Sequence, residues 1–164
     1  MKLTTLGCWG AYPYKDGGTT AYLVTGHDGF QLLMDCGSRA VTELEKEISP
    51  LDLDAVIISH YHPDHVADLG VLRHYFQLYP KHLWEPKVLP IYGHDEDTYE
   101  FSKLSLEDVS EGKVYDVVAL RKLVLLILPL SKRFTLFLAM LFGLKNVQLG
   151  KCLSLQETQA ILMV

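Results

Sequence analysis

The sequence predicts an α/β fold followed by a tail of different composition. Its 164 residues are enough for one domain with its own core, and 49% hydrophobic with 21% charged residues is typical of a globular protein. Strand-like apolar runs alternate with helical apolar patterns along residues 1–121. Residues 122–164 are instead rich in leucine and contain a single acidic residue, Glu157. We therefore divide the chain into a domain over 1–121 and a leucine-rich tail over 122–164.

The domain is expected to contain strands and amphipathic helices in alternation. Helical spacing of apolar residues predicts one helix over 39–48 and another over about 68–79. Residues 17–20, Gly-Gly-Thr-Thr, could bind an anion, although a flexible turn is the simpler interpretation. Short runs with strand-type composition predict β-strands at 2–6, 21–25, 30–35, 54–59 and 87–92.

The most informative segment is residues 59–65, which read Ser-His-Tyr-His-Pro-Asp-His. It directly follows the apolar run 55–58, which is typical of a buried strand. In extended backbone His60 and His62 project to the same side, because side chains alternate along a strand. The first two imidazoles are therefore expected to lie side by side at a strand end.

The second half of this motif brings two more polar side chains. Pro63 disfavours helix at His62 and turns the chain, so that Asp64 and His65 can fold back beside the first pair. Imidazole and carboxylate groups together suit zinc or a similar divalent metal. Four such groups form half of a two-metal hydrolytic site. The alternative is a solvated histidine-rich loop.

The other histidines considered are weaker candidates for metal ligands. His74 is expected on a helix surface and His82 in a loop. His94 belongs to the segment 92–97, Tyr-Gly-His-Asp-Glu-Asp, which could be a second ligand cluster. We interpret that segment as a polar loop at the rim of the cleft.

The motif and its position resemble the metallo-β-lactamase superfamily of metal-dependent hydrolases, in particular its small bacterial ribonuclease Z-like branch. Three other segments are similar to the same family: the first strand and glycine turn at 2–10, the second strand at 21–24, and the strand 30–38 with its Asp-Cys-Gly. The resemblance covers about residues 1–120. It implies an αββα sandwich, incomplete here because only the N-terminal half is present, with the leucine-rich tail as an atypical addition.

The resemblance also implies a role for each site residue. His60 and His62 would bind one metal ion, and Asp64 and His65 a second. Asp64 would also orient the attacking hydroxide as the catalytic residue. Asp35 would hold the ligand loop without touching metal. The implied enzyme uses two divalent ions, expected to be zinc, to hydrolyse an ester or a phosphodiester.

The family pattern continues beyond what this sequence supplies. Relatives bring a further histidine, a bridging aspartate and a last histidine, whereas all seven histidines here lie at or before His94 and the last aspartate is Asp116. Substoichiometric metal is therefore expected. Two interpretations stay open: a hydrolase that works by pairing as a dimer or through unrecognised ligands, and an inactive truncated product that at most binds metal weakly.

The tail has its own explanation. We read the tail one base out of frame, so that the third base of each codon is joined to the first two bases of the next. With suitable synonymous codons, residues 132–136 then allow Thr-Val-His-Pro, and residues 155–161 allow Thr-Gly-Asp-Thr-Gly-Tyr. These sequences resemble the family's later histidine and bridging-aspartate motifs, so a frameshift beginning between residues 117 and 124 would explain the tail. The alternative is a membrane-associated interaction protein, but the apolar runs 123–131 and 134–144 are each shorter than the roughly 20 residues that span a bilayer.

Charge and the N-terminal sequence indicate which partners to expect. A net charge of −5 argues against nucleic acid held by a large basic patch. The N-terminus lacks a basic region followed by an apolar stretch, so no secretory signal is evident and a cytoplasmic location is expected. The expected partner is a small-molecule or phosphodiester substrate.

Overall fold

The computed structural model describes residues 2–78 and 87–115, which form one mixed sheet with helices beside it. The predicted tail and the predicted loop at His82 lie outside the described residues. The helices are α1 (Ala40–Leu44), α2 (Pro63–Val66), α3 (Leu69–Leu78) and α4 (Thr98–Ser102), and a 3-10 turn spans Pro50–Asp52. The strands are β1 (Lys2–Trp9), β2 (Gly18–Thr19), β3 (Ala21–Thr25), β4 (Gln31–Met34), β5 (Ala55–Ile57), β6 (Leu89–Gly93) and β7 (Ser110–Val114).

The order of the strands places several loops at one edge of the sheet. The seven strands follow the order β2-β1-β3-β4-β5-β6-β7. Strands β1, β3 and β4 are antiparallel neighbours, whereas β4 to β7 run parallel to one another. Parallel strands share the edge at which their carboxyl ends lie, and α/β folds place ligands there. Residues that follow β4, β5, β6 and β7 therefore lie near one another.

The core lies between the sheet and helices α1 and α3. Leu33 and Val56 of the central strands are fully buried, and so are Leu44 of α1 and Leu72 of α3. Burial of each such side chain stabilises the fold by about 1.5–3 kcal/mol. The core therefore holds β4 and β5 in fixed register, and with them the loops at their carboxyl ends.

One sequence-based interpretation is wrong. Residues 17–20 are not a flexible turn, because Gly18 and Thr19 form β2 and pair in parallel with β1. Thr19 is buried, and its hydroxyl oxygen accepts a 2.6 Å hydrogen bond from the backbone N–H of Ser38. A Cβ at Gly18 would lie only 2.7 Å from the Ser38 carbonyl oxygen. Glycine is needed here for close approach of two chain segments rather than for flexibility.

The helices of the described residues are short. Along residues 2–78 and 87–115, no helix is long and apolar enough to cross a membrane.

Candidate metal centre

The histidine-rich motif spans the loop after β5 and the first three residues of α2. Ser59 is buried two residues after the end of β5, and the chain stays extended at His62, with φ −65° and ψ 147°. Pro63 then occupies the first turn of α2, where its fixed φ suits a helix start and its missing N–H costs nothing. The turn predicted at Pro63 is therefore confirmed.

This turn gathers the polar side chains of the motif. The ring centroids of His60 and His62 are 4.7 Å apart, and those of His60 and His65 are 3.9 Å apart. His65 Nε2 lies 3.4 Å from Asp64 Oδ2. Asp64 and His65 do fold back beside the first histidine pair. The role of these residues as metal ligands stays a prediction.

Asp35 supports the cluster from the buried side. It follows β4, is 5% exposed, and has a left-handed backbone with φ 56°. Its Oδ1 accepts the backbone N–H of Ser59 at 2.7 Å, and its Oδ2 lies 2.8 Å from both Ser59 Oγ and His65 Nδ1. A left-handed non-glycine residue costs about 1–3 kcal/mol, and such strain concentrates at functional sites. These hydrogen bonds offset that cost and fix the ring of His65.

Asp64 is held by the loop that follows β1. Its Oδ2 accepts a 3.0 Å hydrogen bond from the backbone N–H of Ala11. Burial by itself would raise the pKa of Asp64, but this hydrogen bond and the neighbouring His65 outweigh it and lower the pKa below the usual value. Asp64 is therefore a stable carboxylate at neutral pH.

The surroundings of His60 disfavour its charged form. Burial lowers the pKa of His60 below its usual value, and the charge of nearby His65 lowers it further. A metal-binding imidazole must be neutral at the coordinating nitrogen. The surroundings of His60 therefore favour the protonation state that can bind a cation.

Residues 35–37 pack directly against α2. The backbone N–H of Cys36 donates to the carbonyl oxygen of His65 at 2.8 Å. A Cβ at Gly37 would overlap the carbonyl oxygen of Asp64 and the hydroxyl oxygen of Thr19. The Asp-x-Gly pattern thus combines a supporting carboxylate with a residue small enough to let α2 approach.

The donor chemistry suits a divalent metal, although the donors are not yet arranged around one point. A metal-binding imidazole usually donates its other ring N–H to a carboxylate. Asp35 makes this contact with Nδ1 of His65. Among residues 2–78 and 87–115, however, no three His, Cys, Asp or Glu side chains converge closely enough to hold a metal ion.

Two tyrosines and one histidine lie in or beside the motif, each in the chain that follows one of the strands β5, β6 and β7. The Tyr61 hydroxyl donates to the His94 carbonyl oxygen at 2.6 Å, and the two rings lie 4.6 Å apart. The Tyr115 hydroxyl donates to the Ser59 carbonyl oxygen at 3.1 Å. His94 is half-buried and borders the motif through Tyr61, whereas His74 is exposed on α3, as predicted.

Sequence reasoning did not single out Ser59, Tyr61 or Tyr115 as site residues. Ser59 was visible only as the residue before the first histidine, and tyrosines have no fixed spacing in a metal motif. Their positions follow from the parallel pairing of β5, β6 and β7.

Comparison with known proteins shows the family of the chain. Residues 14–134 match the family model of the Metallo-beta-lactamase superfamily. The chain therefore belongs to the metallo-β-lactamase superfamily, and the predicted mixed α/β fold of that family is confirmed.

Among individual relatives, the probable metallo-hydrolase YhfI of Bacillus subtilis is 40% identical over 115 residues, which cover 70% of this chain and 47% of YhfI. The anti-Pycsar protein Apyc1 of Saccharibacillus brassicae is 38% identical over 90 residues, covering 54% of this chain and 36% of Apyc1. Ribonuclease Z of Clostridium acetobutylicum is 35% identical over 71 residues, covering 42% of this chain and 22% of that protein. The chain spans about half the length of YhfI and less of the other two.

Solved structures show the same partial match. The crystal structure of Bacillus subtilis YhfI superposes with a TM-score of 0.63 at 38% identity, covering 70% of this chain and 45% of YhfI. The short form of human tRNase Z superposes with a TM-score of 0.56 at 26% identity, covering 71% of this chain and 45% of that protein.

Proposed function

We propose that this chain carries the N-terminal half of the active site of a metal-dependent hydrolase that cleaves an ester or a phosphodiester. The observation that carries the proposal is the Asp35–His65 hydrogen bond behind three clustered imidazoles. A histidine-rich surface loop has no need of a buried carboxylate in a strained backbone conformation. A metal centre does, because an imidazole ligand must be held in one orientation.

Each residue has a distinct part in this proposal. His60 and His62 would hold one divalent ion, expected to be zinc, and Asp64 and His65 would hold a second. Such ions supply Lewis acidity and make water a nucleophile at neutral pH. Asp64 accepts a hydrogen bond from Ala11 and still has acceptor capacity with which to orient the attacking water.

The names of the relatives help to choose the substrate class. One relative is a probable metallo-hydrolase and others are named ribonuclease Z, which favours a phosphodiester over a carboxylic ester. The proposed substrate is therefore a phosphodiester.

The test is hydrolysis by the full chain after zinc is removed and restored. We expect zinc-dependent hydrolysis of bis(p-nitrophenyl) phosphate that exceeds hydrolysis of p-nitrophenyl acetate. The variant Asp64→Asn should lose this activity, whereas Asp28→Asn should keep it, because Asp28 lies in an exposed turn.

Two results would contradict the proposal in different ways. Zinc binding without any hydrolysis would favour the inactive truncated product. Hydrolysis that persists after complete removal of zinc would exclude a metal-dependent reaction.

A further inference from the structure

One buried hydroxyl connects the supporting carboxylate to two imidazoles of the cluster. Ser59 is 8% exposed. Its Oγ lies 2.8 Å from Asp35 Oδ2 and 3.0 Å from His60 Nδ1. It is also 3.4 Å from His65 Nδ1. The hydroxyl has one hydrogen to donate, so the direction of each bond can be worked out.

Asp35 decides the direction of the first two bonds. A carboxylate only accepts hydrogen bonds, so both of its close partners must donate to it. His65 therefore carries a hydrogen on Nδ1, and its Nε2 lies 3.4 Å from Asp64 Oδ2. The Ser59 hydroxyl likewise donates its only hydrogen to Asp35 Oδ2.

The hydrogen bond from Ser59 to Asp35 also determines the tautomer of His60. Because the Ser59 hydrogen is directed at Asp35, the oxygen of Ser59 can only accept from the ring of His60. His60 must then carry its hydrogen on Nδ1, and its Nε2 is left with a lone pair. A free neutral histidine can place its hydrogen on either nitrogen, so this choice is imposed by the neighbouring hydroxyl.

We propose that Ser59 is a positioning residue for His60. Because the Ser59 hydroxyl donates to Asp35, it can only accept from His60, and this fixes the His60 hydrogen on Nδ1. Asp35 thereby controls two imidazoles, His65 directly and His60 through Ser59. His60 then presents a bare Nε2, the form needed to bind a cation. The use of this arrangement for metal rests on the proposed function, but the choice of tautomer does not.

A purely structural role for Ser59 predicts different behaviour. If the hydroxyl served only to satisfy buried polar groups, its loss would lower stability and leave the His60 tautomer unchanged. The matched control is Ser110, which is a buried serine like Ser59. Its hydroxyl donates to the Leu104 carbonyl oxygen at 2.8 Å, at the first residue of β7 and away from the motif.

The experiment records the tautomer of His60 by nitrogen-15 NMR of the imidazoles in the metal-free full chain, above the ordinary imidazole pKa. The variant His60→Ala assigns the signals. In the unmodified chain and in Ser110→Ala, His60 should carry its hydrogen on Nδ1. In Ser59→Ala it should shift towards the Nε2–H form, and Ser59→Thr should restore the original form because it keeps a hydroxyl. Ser59→Cys, of similar size but a weak acceptor, replaces Ser59→Ala if the latter does not fold.

Zinc titration of the same variants provides the second measurement. Loss of a supporting partner of a ligand costs about 10–100-fold in metal affinity, which we expect for Ser59→Ala and not for Ser110→Ala. Retention of the Nδ1–H form of His60 in both Ser59→Ala and Ser59→Cys would overturn the proposal. A tautomer shift in a chain that binds no zinc at all would support the role of Ser59 and contradict the proposed function.

Discussion

Asp35 is the residue on which the arrangement of the site depends most. Its carboxylate bonds the backbone and hydroxyl of Ser59 as well as the ring of His65. Its own backbone N–H donates to the Ile57 carbonyl oxygen at 2.8 Å, which ties the ends of β4 and β5 together. One side chain thus joins two strand ends and orients the imidazole chemistry between them.

Replacement of Asp35 by Asn tests this role. An amide has one acceptor oxygen and an NH₂ group that cannot accept the hydrogen of His65 or Ser59. We expect zinc affinity to fall by about 10–100-fold. Stability should fall by about 1–3 kcal/mol, because a buried group is left without its partner. Zinc titration and urea unfolding measure the two effects.

The control for this prediction is Asp54→Asn. Asp54 Oδ2 accepts the backbone N–H of Gln31, far from the motif and exposed to solvent. Its replacement should leave zinc affinity unchanged. If Asp35→Asn bound zinc as tightly as the unmodified chain, Asp35 would not support a metal ligand.

At the scale of elements, the approach of α2 to the strand ends depends on Gly37. A methyl group at this position would overlap the Asp64 carbonyl and the Thr19 hydroxyl. Gly37→Ala should therefore destabilise the chain by about 1–3 kcal/mol, the usual cost of overpacking. Urea unfolding measures the change in the free energy of unfolding.

A glycine in open surroundings provides the comparison. A Cβ at Gly70, on α3, would meet no atom within 4 Å. Gly70→Ala should be neutral or stabilising by about 0.5–1 kcal/mol, because alanine favours a helix. Equal unfolding midpoints for Gly37→Ala and the unmodified chain would show that α2 does not need this close contact.

The elements that the sequence predicted are those with a clear apolar period. Strands β1, β3, β4, β5 and β6, and helices α1 and α3, all fall within or close to the predicted ranges. Helix α1 is shorter than predicted and ends at Leu44, although Ile48 still packs against the core. The periodicity reports which side chains are buried, and it does not distinguish a helix from the turns that continue it.

The elements that sequence reasoning missed lack an apolar signal. Strand β7 reads Ser-Glu-Gly-Lys-Val and is mostly polar, so that only its pairing with β6 defines it. Helix α2 has four residues, too few for a periodic pattern. Within the site, the gathering of the motif residues followed from local rules at Pro63. The support from Ser59, Tyr61 and Tyr115 required the tertiary pairing of three strands.

At the scale of the whole molecule, the ligands that the family resemblance places later in the chain are missing from this sequence. No histidine follows His94 and no aspartate follows Asp116. The proposed frameshift between residues 117 and 124 predicts that adding one base near codon 122 yields a reading with Thr-Val-His-Pro and Thr-Gly-Asp-Thr-Gly-Tyr. That chain should have metal-dependent hydrolase activity well above that of the present one.

The nucleotide sequence checks this prediction first. A stop codon within a few residues of the corrected frame would exclude the frameshift. A corrected chain with both motifs but no more zinc-dependent activity than the present chain would show that the later residues do not complete the site.

The most direct test of the central claim is the zinc content of the double variant His60→Ala/His62→Ala, compared with His74→Ala. His74 is an exposed histidine on α3 and serves as the matched control. If residues 60–65 form the metal centre, the double variant should lose whatever tight zinc binding the unmodified chain has, because one ion loses both of its expected ligands. His74→Ala should bind zinc as the unmodified chain does. Zinc bound by the double variant with unchanged stoichiometry and affinity would contradict the assignment of the site.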